Sequence, residues 1–309
     1  MRPAFSVIFF TTASGAGCGL LIWLGLLAPA GLLPASLWFG GLTLALALAL
    51  LTAGLLASTF HLGHPERAWR ALGQWRSSWL SREGVAALAT YPPALAFGSL
   101  WVLGGPRGPW TALCGALAAA GALGTVFCTG QIYASLRTIR QWHDSRVVPL
   151  YLLLALWSGA VLAAALAGLW GAARLPALLA LVCGLGGLAL KLSYWHAIDR
   201  AAPASTLESA TGLGSWGKVR PLDPPHTEEN YLLREMGYRI ARKHAAKLRR
   251  LALALAFALP LALLAAGLAA RLAFPALLAA LAAAAGLLIE RWLFFAEAKH
   301  VVTLYYRGN

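Results

Sequence analysis

The chain is poor in charged residues: only 12% of its 309 residues are Asp, Glu, Lys or Arg, against roughly a quarter in an average soluble domain. Acidic residues are the scarcer kind, with 11 against 25 basic ones. Hydrophobic residues make up 60% of the chain, which is more than a water-soluble core can bury. The composition therefore excludes an ordinary soluble domain and indicates a protein that lies in a lipid bilayer.

Cysteine is also scarce, and its placement argues against a metal centre. Cys18, Cys114, Cys128 and Cys183 lie in apolar stretches, without the close spacing that zinc or iron–sulfur sites require. No histidine lies in the middle of an apolar stretch, where a transmembrane haem usually finds its axial ligands. We therefore expect this chain to hold no haem, no iron–sulfur cluster and no other metal.

Long apolar runs recur along the chain, and each approaches the roughly 20 residues that a helix needs to cross the hydrocarbon layer. The runs are rich in Leu, Ala and Gly and do not alternate, which favours helices over a β-barrel. The sequence predicts an all-α integral membrane protein, a single membrane domain that is a bundle of about eight transmembrane helices. The approximate spans are 6-29, 36-61, 83-104, 110-134, 148-170, 175-197, 250-270 and 274-297.

Basic residues are concentrated in alternate linkers. The longer linkers, after the second, fourth and sixth spans, carry most of the Lys and Arg, whereas the linkers of the opposite face have Arg107, Arg174 and Arg271. The positive-inside rule predicts that the basic face is cytoplasmic. Because the charge lies between hydrophobic runs, it marks topology and a docking surface, and we expect no nucleic-acid partner.

The longest basic linker, 198-250, contains Pro221, Pro224 and Pro225 and ends in a basic run that begins at Arg239. It is too polar to enter lipid and too short to form an independent large domain. Two interpretations stay open. We prefer a docking platform for a soluble subunit; the other is a basic juxtamembrane helix held on anionic lipid headgroups.

Ionisable residues gather on the basic face between the second and third spans. His61 closes the second span and Glu83 opens the third, at the edge of the hydrocarbon layer, where such groups are costly and commonly functional. The residues alone leave a structural role open, in which Glu83 caps its helix or pairs with Arg82 and His61 binds the loop. Further candidates on this face are His64, Arg67, Arg70, His143 and His196.

Several motifs, in the same order, resemble the anchor subunit (DmsC) of the dimethyl sulfoxide reductase family. They are His61-Leu62-Gly63, Arg67-Ala68, the stretch from Ser78 to Glu83, the stretch from Asp223 to Gly237 and the stretch from Glu290 to Glu297. The resemblance runs through essentially the whole chain. It implies eight helices in a prokaryotic cytoplasmic (inner) membrane, bound menaquinol and no haem. It also implies two partners, an iron–sulfur electron-transfer subunit and a molybdopterin catalytic subunit.

The resemblance further implies a site. In such anchors a histidine at the end of the second helix and a glutamate at the start of the third are tied to quinol binding and oxidation, and the matching residues are His61 and Glu83. We predict that both accept quinol protons, and that Arg67 and Arg70 orient Glu83 or contact a partner. The chain would then oxidise menaquinol while another subunit acts on the terminal acceptor. Many family members carry the catalytic subunit outside the cytoplasm, so the resemblance leaves the side of the membrane open.

A secondary transporter or a quinone-linked proton pump is the alternative. A transporter requires a midplane site with broken helices and buried charge, and a pump requires polar residues across the membrane. The spans show no acidic residue or lysine near their middles. The sequence therefore favours the anchor.

Overall fold

The computed structural model describes residues 3–60, 62–203, 205–223 and 240–304. The helices are α1 Phe5–Leu27, α2 Leu37–Thr59, α3 Trp79–Gly104, α4 Pro109–Ala134, α5 Val147–Gly168, α6 Arg174–Arg200, the short α7 Leu207–Thr211, α8 and α9 Phe274–Ala296. The helix α8 consists of Ile240–Leu253, a π-helical turn at Ala254–Ala258 and Leu259–Ala270. Within these ranges, eight helices are long and apolar enough to cross a membrane, all except α7. The prediction of an all-α membrane bundle is confirmed.

The helices α1 and α5 form the centre of the bundle and are the most buried of the eight spans. They approach closely because Gly19 of α1 and Gly159 of α5 have no side chains: a Cβ on Gly19 would collide with the backbone of Ala155, and one on Gly159 would collide with Gly19. The indole of Trp23 donates a 2.8 Å hydrogen bond to the carbonyl of Leu156 across this contact. The helices α2 and α4 pack on α1, α6 packs on α5, and α9 packs on both.

Two helices begin well before the residues at which the hydrophobic runs predicted their start. The helix α3 begins at Trp79, where the Ser78 side chain accepts a hydrogen bond from the Ser81 amide, so Glu83 lies in the second turn and does not open the helix. The helix α8 begins at Ile240, well before residue 250, and its first turns carry part of the basic run. Hydropathy marks only the part of a helix that lies in lipid, which is why it missed these polar turns.

The π-helical turn of α8 has a local cause. Pro260 has no amide hydrogen and crowds the preceding turn, so the carbonyl of Ala256 loses its usual partner in the helix. The buried indole of Trp157 on α5 donates to that carbonyl at 3.0 Å. The proline therefore interrupts α8 without leaving a carbonyl unpaired in the membrane interior.

The linkers of the basic face differ in how they pack. Residues of the 3-10 helix Pro65–Gln74, between α2 and α3, are mostly exposed. The linker between α4 and α5 lies against the end of α9 instead: the Trp142 indole donates to the Phe294 carbonyl at 3.0 Å, and Ile139 forms a β-bridge with His300. The linker between α4 and α5 is thus part of the packed bundle, whereas the linker between α2 and α3 is exposed on the surface.

Candidate functional site

Glu83 is buried in the second turn of α3, with only 3% of its surface exposed. Its carboxylate accepts a hydrogen bond from the Thr129 hydroxyl on α4. Arg82 turns to other partners, because its guanidinium donates to the carbonyls of Trp75 at 2.9 Å and Arg76 at 2.7 Å. The structure therefore supports neither the capping role nor an Arg82 pair, and it holds the carboxyl group inside the bundle.

The packing of α3 against α4 places Thr129 beside Glu83. The two helices are antiparallel neighbours joined by a short loop and contact each other along their length. At Gly121 of α4, an added Cβ would lie 2.5 Å from Oγ1 of Thr90 on α3, so a larger residue there would push the helices apart. A buried carboxyl group without a partner is strongly unfavourable, and this contact supplies the partner.

The predicted residues of the loop before α3 are not gathered around Glu83. His64 Nδ1 lies 3.1 Å from the carboxylate of Glu66, Arg67 Nε lies 3.6 Å from it, and these side chains are more than half exposed. Arg70 is exposed and lies over the ring of Trp69. The structure gives Arg67 and Arg70 partners other than Glu83, so their contact with a partner subunit stays a prediction.

The histidines of the candidate set are separate from Glu83 or lie outside the described residues. His61 lies outside the described residues. His143 is exposed, and its Nδ1 lies 2.6 Å from the carbonyl of Ala134, where it satisfies the end of α4. His196 is exposed on α6. Among the described residues, no three His, Cys, Asp or Glu side chains lie together as metal ligands would; the expectation of no haem stays a prediction.

A polar recess, enclosed by α1, α4, α5 and α9, is lined by Thr129, the partner of Glu83. Its volume is about 20 Å³, little more than one water molecule needs. Its polar lining consists of Thr11, Thr12, Ser14, Ser158, Thr129, Tyr151 and Arg291. Within the described part of the chain, neither the Tyr151 hydroxyl nor Nη1 of Arg291 has a hydrogen-bond partner, although both side chains are buried.

An apolar cleft of about 180 Å³ adjoins this polar recess. It lies between α1, α2, α5 and α9, and its walls are mostly Ala, Leu, Val and Phe side chains. Thr12, Ala16, Ser158 and Leu287 line both the cleft and the recess. The small polar recess and the apolar cleft are therefore neighbours that share part of their walls.

A buried ion pair joins α6 to α9 next to the recess. Nζ of Lys191 lies 2.5 Å from Oε1 of Glu290, and both side chains are fully buried. Nε of Arg291 lies 3.5 Å from the other oxygen of the same carboxylate, and its guanidinium stacks 3.8 Å from the ring centre of Tyr151. Buried charges are strongly unfavourable unless they are paired. The carboxylate of Glu290, held by Lys191, therefore also holds the guanidinium of Arg291 in place.

Comparison with known proteins places the chain in a family. The model of the family described as "DMSO reductase anchor subunit (DmsC)" matches residues 1–296. The chain belongs to this family. It is also 36% identical, over 324 aligned residues, to a sulfite dehydrogenase subunit of Allochromatium vinosum, and the alignment covers 100% of this chain and 99% of that protein. No solved structure matches the chain.

As a member of the anchor family, the chain is a multi-pass membrane subunit of an oxidoreductase complex. Sequence analysis of this anchor singled out Glu83 but not Thr129, Tyr151 or Arg291. Arg291 carries a signal in the sequence, because a charge inside an apolar run is costly. Threonine and tyrosine carry no such signal, since both are common in transmembrane helices.

Proposed function

We propose that this anchor binds and oxidises menaquinol at the basic end of the bundle and passes the electrons to an iron–sulfur subunit, which feeds a molybdopterin catalytic subunit. The observation that carries the proposal is the buried carboxyl group of Glu83, held by Thr129 in the second turn of α3. A carboxyl group in that position serves a substrate that arrives through the lipid and releases protons.

Quinol oxidation releases two protons and two electrons, so the site must hold proton acceptors next to the ring oxygens. Glu83 is the first acceptor in this proposal. His61 is the second, since an imidazole accepts a proton at neutral pH without a large change in its environment. The electrons leave to the iron–sulfur subunit, which is the oxidant of this step, and the protons leave through the basic face.

The docking of that subunit is assigned to the basic face. Lys247 and Arg250, in the first turns of α8, are exposed. Arg249 is instead bound to Asp199, at 2.6 Å, and to Glu297, at 2.7 Å, so it fixes α8 to its neighbours. We propose that the exposed basic residues of 198-250 form the docking platform, in a prokaryotic cytoplasmic membrane; residues 204 and 224–239 of this segment lie outside the described residues.

The reverse direction of electron flow is the second candidate, and the name of the relative favours it. A sulfite dehydrogenase removes electrons from its substrate, so its membrane subunit would deliver them to a quinone. In that direction Glu83 would donate a proton to the ring oxygen of the quinone. In quinol oxidation it would accept the proton from the same oxygen, because a reaction and its reverse use the same groups. Family membership favours both directions over a transporter or a pump.

The test is to purify the native complex and identify its subunits by mass spectrometry. We expect a molybdopterin protein and an iron–sulfur protein with this chain. If the complex oxidises quinol, menaquinol should reduce the iron–sulfur clusters. If electrons flow in the reverse direction, sulfite should reduce a menaquinone analogue. If the chain purifies as a lone monomer, or if neither quinone form reacts with the complex, the proposal is wrong.

A further inference from the structure

The polar recess contains two buried donors that the folded chain does not use. Tyr151 and Arg291 line the recess, and among the described residues the Tyr151 hydroxyl and Nη1 of Arg291 are buried without a hydrogen-bond partner. Buried polar groups in native proteins are almost always paired, because an unpaired one loses its hydrogen bonds to water without replacement. Two such donors, on residues that line the same recess, indicate a ligand with an oxygen atom that accepts from both.

We infer that a quinone ring lies in the apolar cleft with one ring oxygen in the polar recess, bound by the Tyr151 hydroxyl and the Arg291 guanidinium. This inference rests on the proposed function and names where its substrate binds. The sizes agree: the cleft, of about 180 Å³, takes a flat apolar ring, and the recess, of about 20 Å³, takes one oxygen. Thr129 links the recess to the carboxyl group of Glu83.

The depth of the two parts fits an isoprenoid quinone. Tyr151 lies four residues into α5, about 6 Å from the basic end of that helix, whereas Val161 in the wall of the cleft lies fourteen residues in, about 21 Å deep. The recess and then the cleft therefore follow one another from the polar edge toward the middle of the bilayer. A prenyl tail follows the same course when the ring oxygen is at the edge.

Charge and size distinguish this ligand from a lipid. An acyl chain would fill the cleft but would leave both donors unused. A phosphate headgroup exceeds the recess, which has room for little more than one water molecule. Nε of Arg291 lies 3.5 Å from Glu290 while its Nη1 has no partner among the described residues, so the guanidinium keeps a donor for an electron-rich oxygen.

The test uses the intact complex in lipid nanodiscs with a photoreactive azidonaphthoquinone that carries a prenyl tail. We expect cross-links to peptides of α5 and α9. Tyr151→Phe removes only the unpartnered hydroxyl, so the complex should assemble normally while the KM for quinol rises about three- to tenfold and dye-driven turnover is unchanged.

Ala284→Phe fills the cleft and should abolish both labelling and quinol turnover. Ala285→Phe is the matched control, because Ala285 is the next residue on α9, is also exposed and does not line the cleft. If Ala284→Phe lowers the yield of the complex, Ala284→Leu replaces it.

The inference is overturned if wild-type complex is labelled elsewhere, or if Tyr151→Phe and Ala284→Phe keep normal quinol kinetics while Glu83→Gln does not. In those cases the proposed function stands with its site at another place. If wild-type complex neither binds the probe nor reacts with quinol, the proposed function itself fails, and the inference fails with it.

Discussion

Replacing Glu83 with Gln tests the chemistry of the site with the least structural disturbance. The Gln side chain has the same size and keeps a carbonyl oxygen that accepts the hydrogen bond from Thr129, so the buried contact survives. What is lost is the base. General-base catalysis contributes about 10²–10⁴-fold, so quinol-driven turnover should fall by that factor, equivalent to about 3–5 kcal/mol in the activation barrier.

The assay compares two electron donors in the same assembled complex. Reduced dyes that act on the soluble subunits directly should support normal turnover in Glu83→Gln, whereas menaquinol should not. Glu66→Gln is the control, because Glu66 is an exposed glutamate on the loop before α3 and is bound to His64. A Glu83→Gln complex that assembles in normal amount and oxidises quinol at the wild-type rate would refute the proton-accepting role.

Three further predictions concern the rest of the chain. Reversing the charge at Lys247 and Arg250 together should release the soluble subunits while the anchor stays in the membrane, which fractionation and immunoblotting would detect; unchanged assembly would return this segment to a lipid contact. The purified anchor should show no haem absorbance and no iron by elemental analysis, and a stoichiometric haem b spectrum would contradict this. Lys191→Met should destabilise the bundle by about 3–5 kcal/mol, since it leaves the carboxylate of Glu290 buried without its lysine. Adding Glu290→Gln should recover part of that loss in thermal unfolding, and no recovery would mean that the pair does not act as one unit.

The sequence alone determined the class of protein and the number of spans, and it singled out Glu83 as a candidate site residue. Apolar runs of membrane length, separated by basic linkers, specify transmembrane helices because lipid offers no partner to an unpaired backbone group. Glu83 is a candidate because a carboxyl group at the edge of such a run has few structural uses. The motifs from His61 to Glu297 placed the chain in its family before any fold was known.

Only the tertiary structure decided that Glu83 is paired with Thr129 and which residues form the recess beside Thr129. Thr129, Tyr151 and Arg291 lie on three different helices, and their meeting depends on glycine contacts such as Gly19 with Gly159, which hydropathy does not register. The early start of α3 moved Glu83 from a helix terminus into the bundle, since a serine cap and a polar first turn carry no apolar signal. Periodicity describes one helix at a time, whereas the recess exists only because packing brings side chains from four helices together.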